Sequence, residues 1–436
     1  MTMEEDKIIH IFWFRRDLRF TDNHGLYRAL SSGLPVLPIF IFDITILEHL
    51  ESDDKRVEFI WRELKDLNAK LAEYKSAIQF YFDRPLDAFK KLINKYRIHT
   101  VFANEDYEPY GMSRDEKIAE FLNKKGIHMR LFKDHVIFKP DEVLKADGTP
   151  YTIYTPYKNK WREIFNQNTL PGYPSESLLK HFMQVGPTAI AGLDQIGFTT
   201  SSFTFPAKIV YSNIIKNYAQ TRDLPYLDNG TSKLGLHLRF GTLSIRTLVN
   251  RVAMHETFVN ELIWREFFMQ ILFHFPYVAN RSFKPKYDQI EWENDETNFE
   301  AWCNGLTGYP LVDAGMRELN QTGHMHNRVR MVVASFLCKH LLIDWRWGEA
   351  YFAQKLLDYE LASNNGNWQW AAGTGCDAAP YFRIFNPKAQ LAKFDPGMRY
   401  VHKWVDLTKP YPKEIIDHVW ARERALKVYK AGLEGI

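Results

Sequence analysis

The sequence predicts two domains of different class: a doubly wound α/β N-terminal domain on a parallel sheet, then an all-α C-terminal domain, joined by a long connector. Three observations carry this. Over residues 7–132, near-continuous apolar runs alternate with amphipathic stretches, as in a parallel sheet covered on both faces by crossover helices. From about residue 207 the periodicity is helical, with stops at Gly230, Pro276, Gly305, Pro310, Gly323 and Gly348. Between them, 133–206 is rich in Pro, Tyr, Ser, Gly and Thr and has few periodic runs. At 436 residues the chain is long for one core, and the expected division is 1–132, 133–206 and 207–436.

In chain order, the apolar runs 8–14, 34–42, 78–82, 100–103 and 128–132 read as buried strands. The stretches 25–31, 55–74, 86–96 and 113–125 read as the helices between them. Sheets of this kind bind ligands at the carboxyl ends of their strands. Arg15, Arg16 and Asp17 after the first strand, with Asn104, Glu105 and Asp106 after the fourth, are candidates to line such a pocket. No Gly-rich phosphate loop follows the first strand, which disfavours an ordinary dinucleotide site. In the connector, YTIYTPYKNKW (151–161) is too aromatic for a loose tether and is expected to pack down.

Composition excludes several classes. The net charge of +3 is far from that of a strongly basic nucleic-acid binder. Residues 208–436 hold 28 Lys and Arg against 24 Asp and Glu, the rest 28 against 29, so the C-terminal part is the better partner for an anion. Three cysteines without a close pair give neither a disulfide framework nor a zinc spacing, and a reducing, cytoplasmic compartment is expected. The start MTMEEDK is acidic where a signal peptide is basic, and no apolar run reaches membrane-spanning length.

Four constellations could carry chemistry. The stretch 358–387, DYELASNNGNWQWAAGTGCDAAPYFRIFNP, crowds amides, small residues and a tryptophan pair together. Asn and Gly argue against a regular helix there. Small residues beside large aromatics admit a flat ring, with amides for its polar edge; the plainer reading is a loop packed under two tryptophans. In 229–235, NGTSKLG, two hydroxyls and a cation precede an apolar helical run: an anion site at a helix start, or an ordinary Ser/Thr cap. Glu261, Trp264, Arg265 and Phe268 share one helix face, as a pocket wall or as a Glu261–Arg265 surface pair. Asn327, Arg330 and Met331 share another. His324 and His326 point to different sides of a helix without further ligands, so no metal site is expected.

The blocks FWFRRDLRFTDNHGL, YTIYTPYKNKW, TSKLG, NELIWREF, TGYPLVDAGMREL, HNRVRM, LIDW and NNGNWQWAAGTGCDAAPYFRIFNP run in order over nearly the whole chain. In them the chain resembles the DNA photolyase and cryptochrome family, and within it the bacterial class I cyclobutane pyrimidine dimer photolyases. The resemblance implies an N-terminal antenna domain and a C-terminal helical FAD-binding domain. It implies that Thr231, Ser232, Lys233, Leu234 and Gly235 hold the flavin phosphates with Tyr218 nearby, and that Arg265, Asn327, Arg330, Asp358 and Glu360 line the flavin. Asn364 would face flavin N5, where plant cryptochromes carry Asp and animal members Cys. Trp368, Trp345 and Trp292 match the tryptophan chain that passes electrons to the flavin. Glu261, Trp264, Asn327, Arg328, Met331, Trp370 and Arg383 match the pocket for a flipped-out dimer in damaged DNA. Excited reduced FAD would give an electron to the dimer, the ring would open, and the electron would return.

Asn327 stands where the (6-4) branch has His, and His324 where relatives commonly have Trp. Of the antenna chromophores known in such relatives (deazaflavin, FMN or folate), folate is disfavoured by Gly111-Met112, and EPYGMSRD is more like the deazaflavin type. A monomer, soluble and associated with the nucleoid when bound to DNA, is expected. The alternative is a signalling cryptochrome using the same FAD pocket.

Overall fold

A computed structural model describes residues 7–186 and 188–434. Five strands, β1 (Ile8–Phe14), β2 (Val36–Asp43), β3 (Gln79–Asp83), β4 (Arg97–Asn104) and β5 (His128–Phe132), form one sheet in the order β3-β2-β1-β4-β5. Every pairing is parallel. β1 and β2 lie in the middle of the order and are almost wholly buried, which is why they read as unbroken apolar runs. The crossover helices His24–Leu30, Lys55–Leu71, Pro85–Lys95 and Pro109–Asn123 follow the amphipathic stretches. The last begins at Pro109, four residues before the expected start, because Pro suits the first helical turn, where no backbone donor is needed.

By its contacts the chain divides into two compact units, each discontinuous in sequence. The first comprises 1–139, 164–209 and 234–251, and the second 140–163, 210–233 and 252–436. The stretch expected to connect two domains is therefore shared between the units. Within it YTIYTPYKNKW does pack down: it opens the helix Tyr154–Gln167, with Tyr154, Tyr157 and Trp161 buried.

The second unit is helical. Its main core gathers Trp302, Tyr309, Phe336, Trp345, Phe352 and Trp368. The expectation that 358–387 lacks a regular helix is corrected, since Leu361–Ala372 is one. Packing overrides propensity here. Asn365 and Gln369, one turn apart, both donate to the Val278 carbonyl (2.9 and 3.0 Å) instead of competing for their own backbone. Gly366 faces Phe268 so closely that a Cβ would stand 2.1 Å from its ring. Gly373, at φ 91°, ends the helix. The helix Asn327–Ser335 continues as a π turn, Phe336–His340, which carries the buried Lys339.

Candidate functional site

A pocket with about 590 Å³ of atom-free space opens in the second unit. His326 starts one wall by accepting from the Arg328 N–H at 3.1 Å, and the helix it caps turns Asn327, Arg330 and Met331 toward the pocket. The segment around Leu361–Ala372 supplies Asp358, Glu360, Asn364, Trp368 and Trp370. Ala334, Phe352, Leu356 and Ala371 add apolar surface. Donors and acceptors around an apolar floor suit a flat heteroaromatic ring with a polar edge.

The charged groups are fixed in pairs. Arg330 reaches Asp358 at 3.1 Å and donates from Nε to the Met325 carbonyl at 2.7 Å. Arg265 reaches Glu360 at 3.1 Å, so the alternative Glu261–Arg265 surface pair is not formed. Asn364 spends its amide nitrogen on Glu349, at 3.0 Å to the carbonyl and 2.7 Å to the carboxyl. That leaves the Asn364 oxygen as an acceptor. Burial pushes the Glu349 carboxyl up.

Glu261 pairs instead with Arg222, while Arg328 reaches Asp223 at 2.8 Å and lies over the Phe394 ring at 4.3 Å. Burial pushes the Glu261 carboxyl up against the pull of Arg222. Trp264 shares a second, apolar pocket with Trp370, which borders both. Trp264 also lies parallel to Tyr154, ring centroids 3.5 Å apart. Arg383 is exposed near Phe385 and lines neither pocket.

Trp368 and Trp345 are buried, and Trp292 packs against the same core. Gly348, one turn after Trp345, makes room for the Trp368 indole. Trp292 meets Tyr429 edge-on at 5.8 Å.

Tyr218 packs on Phe258 (4.9 Å), and burial with the nearby Glu261 raises its phenol. Thr231, Ser232 and Lys233 belong to the second unit, and Lys233 adopts φ 53°. Leu234 and Gly235 belong to the first, where the helix Gly235–Arg239 has no side-chain cap, so the Ser/Thr cap reading is not realised. His324 turns to Glu318 (3.3 Å), which also accepts from Tyr400 at 2.5 Å.

At the strand ends of the first unit, the candidate pocket residues are occupied with one another or with near neighbours, Glu105 with Lys139 among them. Arg15 pairs with Asp115 at 2.5 Å, Arg16 reaches Asp106 at 3.1 Å, and Asn104 donates to Asp17 at 2.6 Å. Two residues at the helical site, Glu349 and Arg222, carry no motif of their own, and a third, Tyr154, lies in the block YTIYTPYKNKW but has no role assigned there. Spacing could have offered Glu349, four residues after Trp345; Arg222 and Tyr154 meet their partners only through tertiary structure.

Fold and pocket define a class, a two-unit protein whose helical unit is shaped to hold a flat aromatic cofactor. Comparison with known proteins narrows it. Residues 10–175 match the family model for DNA photolyase, and residues 258–433 that for the FAD binding domain of DNA photolyase. A deoxyribodipyrimidine photo-lyase of Vibrio cholerae is 36% identical over 97% of this chain and 99% of its own. The crystal structure of a bacterial class III photolyase from Agrobacterium tumefaciens superposes with TM-score 0.87 at 33% identity, over 100% of this chain and 99% of that one. An archaeal photolyase from Sulfolobus tokodaii, solved with two FAD molecules, gives TM-score 0.82 at 33% identity, over 97% and 99%. The chain belongs to the DNA photolyase family, and its second unit carries the family's FAD-binding domain.

Among the described residues no helix is long and apolar enough to cross a membrane, and no group of three or more His, Cys, Asp or Glu is placed to hold a metal.

Proposed function

We propose that the protein repairs cyclobutane pyrimidine dimers in DNA by light, with FAD in the helical pocket. The observation that carries this reading is one cavity bordered both by Arg330, Asp358, Glu360 and Asn364, suited to a flavin, and by Asn327, Met331 and Trp370, suited to a lesion. The chemistry FAD supplies when bound is light-driven one-electron transfer to the dimer, whose cyclobutane ring then opens.

The chain's own residues bind, orient and exclude. Arg330, Asp358, Arg265 and Glu360 arrive pre-paired, so the pocket holds its shape without reorganising. Asn364, held by Glu349, offers an acceptor and no charge. Thr231 and Ser232 hold the flavin phosphates, with Tyr218 nearby. A dimer taken out of the base stack lies against Trp264 and Trp370, and Met331 and Asn327 close the side toward the flavin. Glu261, its carboxyl raised by burial, hydrogen-bonds a base edge. Arg328 and Arg383 reach the DNA backbone, positioning the strand without reading its sequence. Trp368, Trp345 and Trp292 relay electrons toward the pocket.

Asn327 directs the reading to cyclobutane dimers over (6-4) lesions. The test is repair of a defined cyclobutane thymine dimer by photoreduced protein under blue light, beside a (6-4) lesion and a dark sample. Loss of the dimer only in the light is expected. Repair of neither lesion by protein with reducible FAD would refute the proposal and bring the signalling alternative forward.

A further inference from the structure

An indole has two faces, and on Trp264, which Phe268 also flanks with ring centroids 5.5 Å apart and planes at 29°, one of them is already covered. Tyr154 lies on it with planes 6° from parallel and ring centroids 3.5 Å apart. Tyr154 is held at three points. Its hydroxyl donates to the Asn260 carbonyl at 2.9 Å, one residue before Glu261. Its backbone N–H donates to Asp377 Oδ2 at 2.9 Å, and Phe267 meets its ring edge-on at 5.8 Å. Burial, with the Glu261 carboxylate beside it, pushes the phenol far above its usual range, so the hydroxyl stays a neutral donor. Trp264 in turn borders the apolar cavity it shares with Trp370. One residue thus clamps the backbone beside Glu261 and the ring plane of Trp264.

We propose that Tyr154 is a positioning residue for lesion recognition: it fixes the plane of Trp264, so that an entering pyrimidine dimer becomes the third layer of a stack already two rings deep. This rests on the reading that Trp264 stacks on a flipped-out dimer. A side chain ordered before binding loses less rotamer freedom when the ligand arrives, and parallel aromatic pairs add stabilisation beyond buried area. Tyr154 and Asp377 also tie the helix start to the loop after Gly373, which lies between Trp370 and Arg383 in the chain.

The test uses the FAD-loaded protein and two duplexes, one with a single cyclobutane thymine dimer and one undamaged, with Kd read in the dark by fluorescence anisotropy. Tyr154→Ala is expected to weaken binding to the dimer duplex by roughly 2- to 10-fold, with affinity for undamaged DNA held. Tyr154→Phe, which keeps the flat ring, is expected to bind the lesion as wild type does. Should the Ala variant fail to fold, Tyr154→Leu fills the volume without a flat face and is expected to show the same loss. Unchanged lesion affinity in the Ala or Leu variant would overturn the proposal. So would equal loss on both duplexes, which marks a purely structural role, or tighter lesion binding, which marks Tyr154 as an occupant of the lesion's own place. A wild-type protein that does not discriminate between the duplexes overturns the underlying lesion reading instead.

Discussion

Gly348→Ala sets two effects against each other. Gly348 sits inside the helix Trp345–Lys355, where Ala gains about 1 kcal/mol of helix propensity over Gly. A Cβ there would stand 2.1 Å from Cη2 of Trp368 and 2.5 Å from both its Cζ3 and Leu337 Cδ2. Ordinary contact begins near 3.4 Å, so the indole must retreat by about 1.3 Å. Its retreat is blocked. Phe352 meets it edge-on at 5.0 Å and the fully buried Trp302 lies at 6.1 Å. Overpacking of this kind costs about 1–3 kcal/mol, and the fixed neighbours place it toward the upper end. The net expectation is a loss of about 1–2 kcal/mol, read as a lower denaturant midpoint, with altered near-ultraviolet circular dichroism from the displaced indole. A midpoint equal to or above wild type would refute the reasoning, because propensity would have outweighed a clash that the neighbours were held to make unavoidable.

Trp264→Ala is expected to weaken binding to dimer-containing DNA by about 1–3 kcal/mol, measured against an undamaged duplex; unchanged affinity removes its stacking role. Trp368→Phe is expected to stop photoreduction of oxidised FAD while sparing repair by chemically reduced protein, and photoreduction at the wild-type rate would take Trp368 out of the relay. Lys339 is buried, and burial lowers its pKa from 10.5 to about 7. Between those values the unfolded chain binds the proton and the folded one does not, so stability rises with pH by up to about 1.4 kcal/mol per unit. Wild type should therefore gain on Lys339→Met as pH goes from about 7 to about 10, and parallel stability curves would show that Lys339 keeps its proton, held by the Ala372 carbonyl at 2.7 Å and the Tyr429 ring at 3.5 Å.

The strands were legible because each is an apolar run bounded by polar residues, a signal that needs no partner to be read, but the expectation that all five are buried holds only for the inner strands: β3 and β5, at the two edges of the sheet, are half-buried or exposed along their length. The shared face of Asn327, Arg330 and Met331 was legible for a similar reason: helical spacing is local. Leu361–Ala372 was not, because its Asn and Gly residues satisfy their needs at Val278 and Phe268, nearly a hundred residues away. The charge pairing was left open between two readings for the same reason. Glu261 and Arg265 are spaced for each other, yet each has a partner from elsewhere, Arg222 and Glu360. Tyr154 sits in a stretch marked by its aromatic content and by the family resemblance, but nothing local points it at Trp264.

The division of the chain bears on synthesis as well as on architecture. The polypeptide passes between its two units five times before residue 252. A gene fragment ending at residue 206 would therefore lack 207–209 and 234–251 of the α/β unit, including the buried Leu248 and Val249. On the ribosome that unit stays incomplete until well over half the protein has been made. Dissecting this protein by truncation would test fragments, whereas point substitutions on each side test the units themselves.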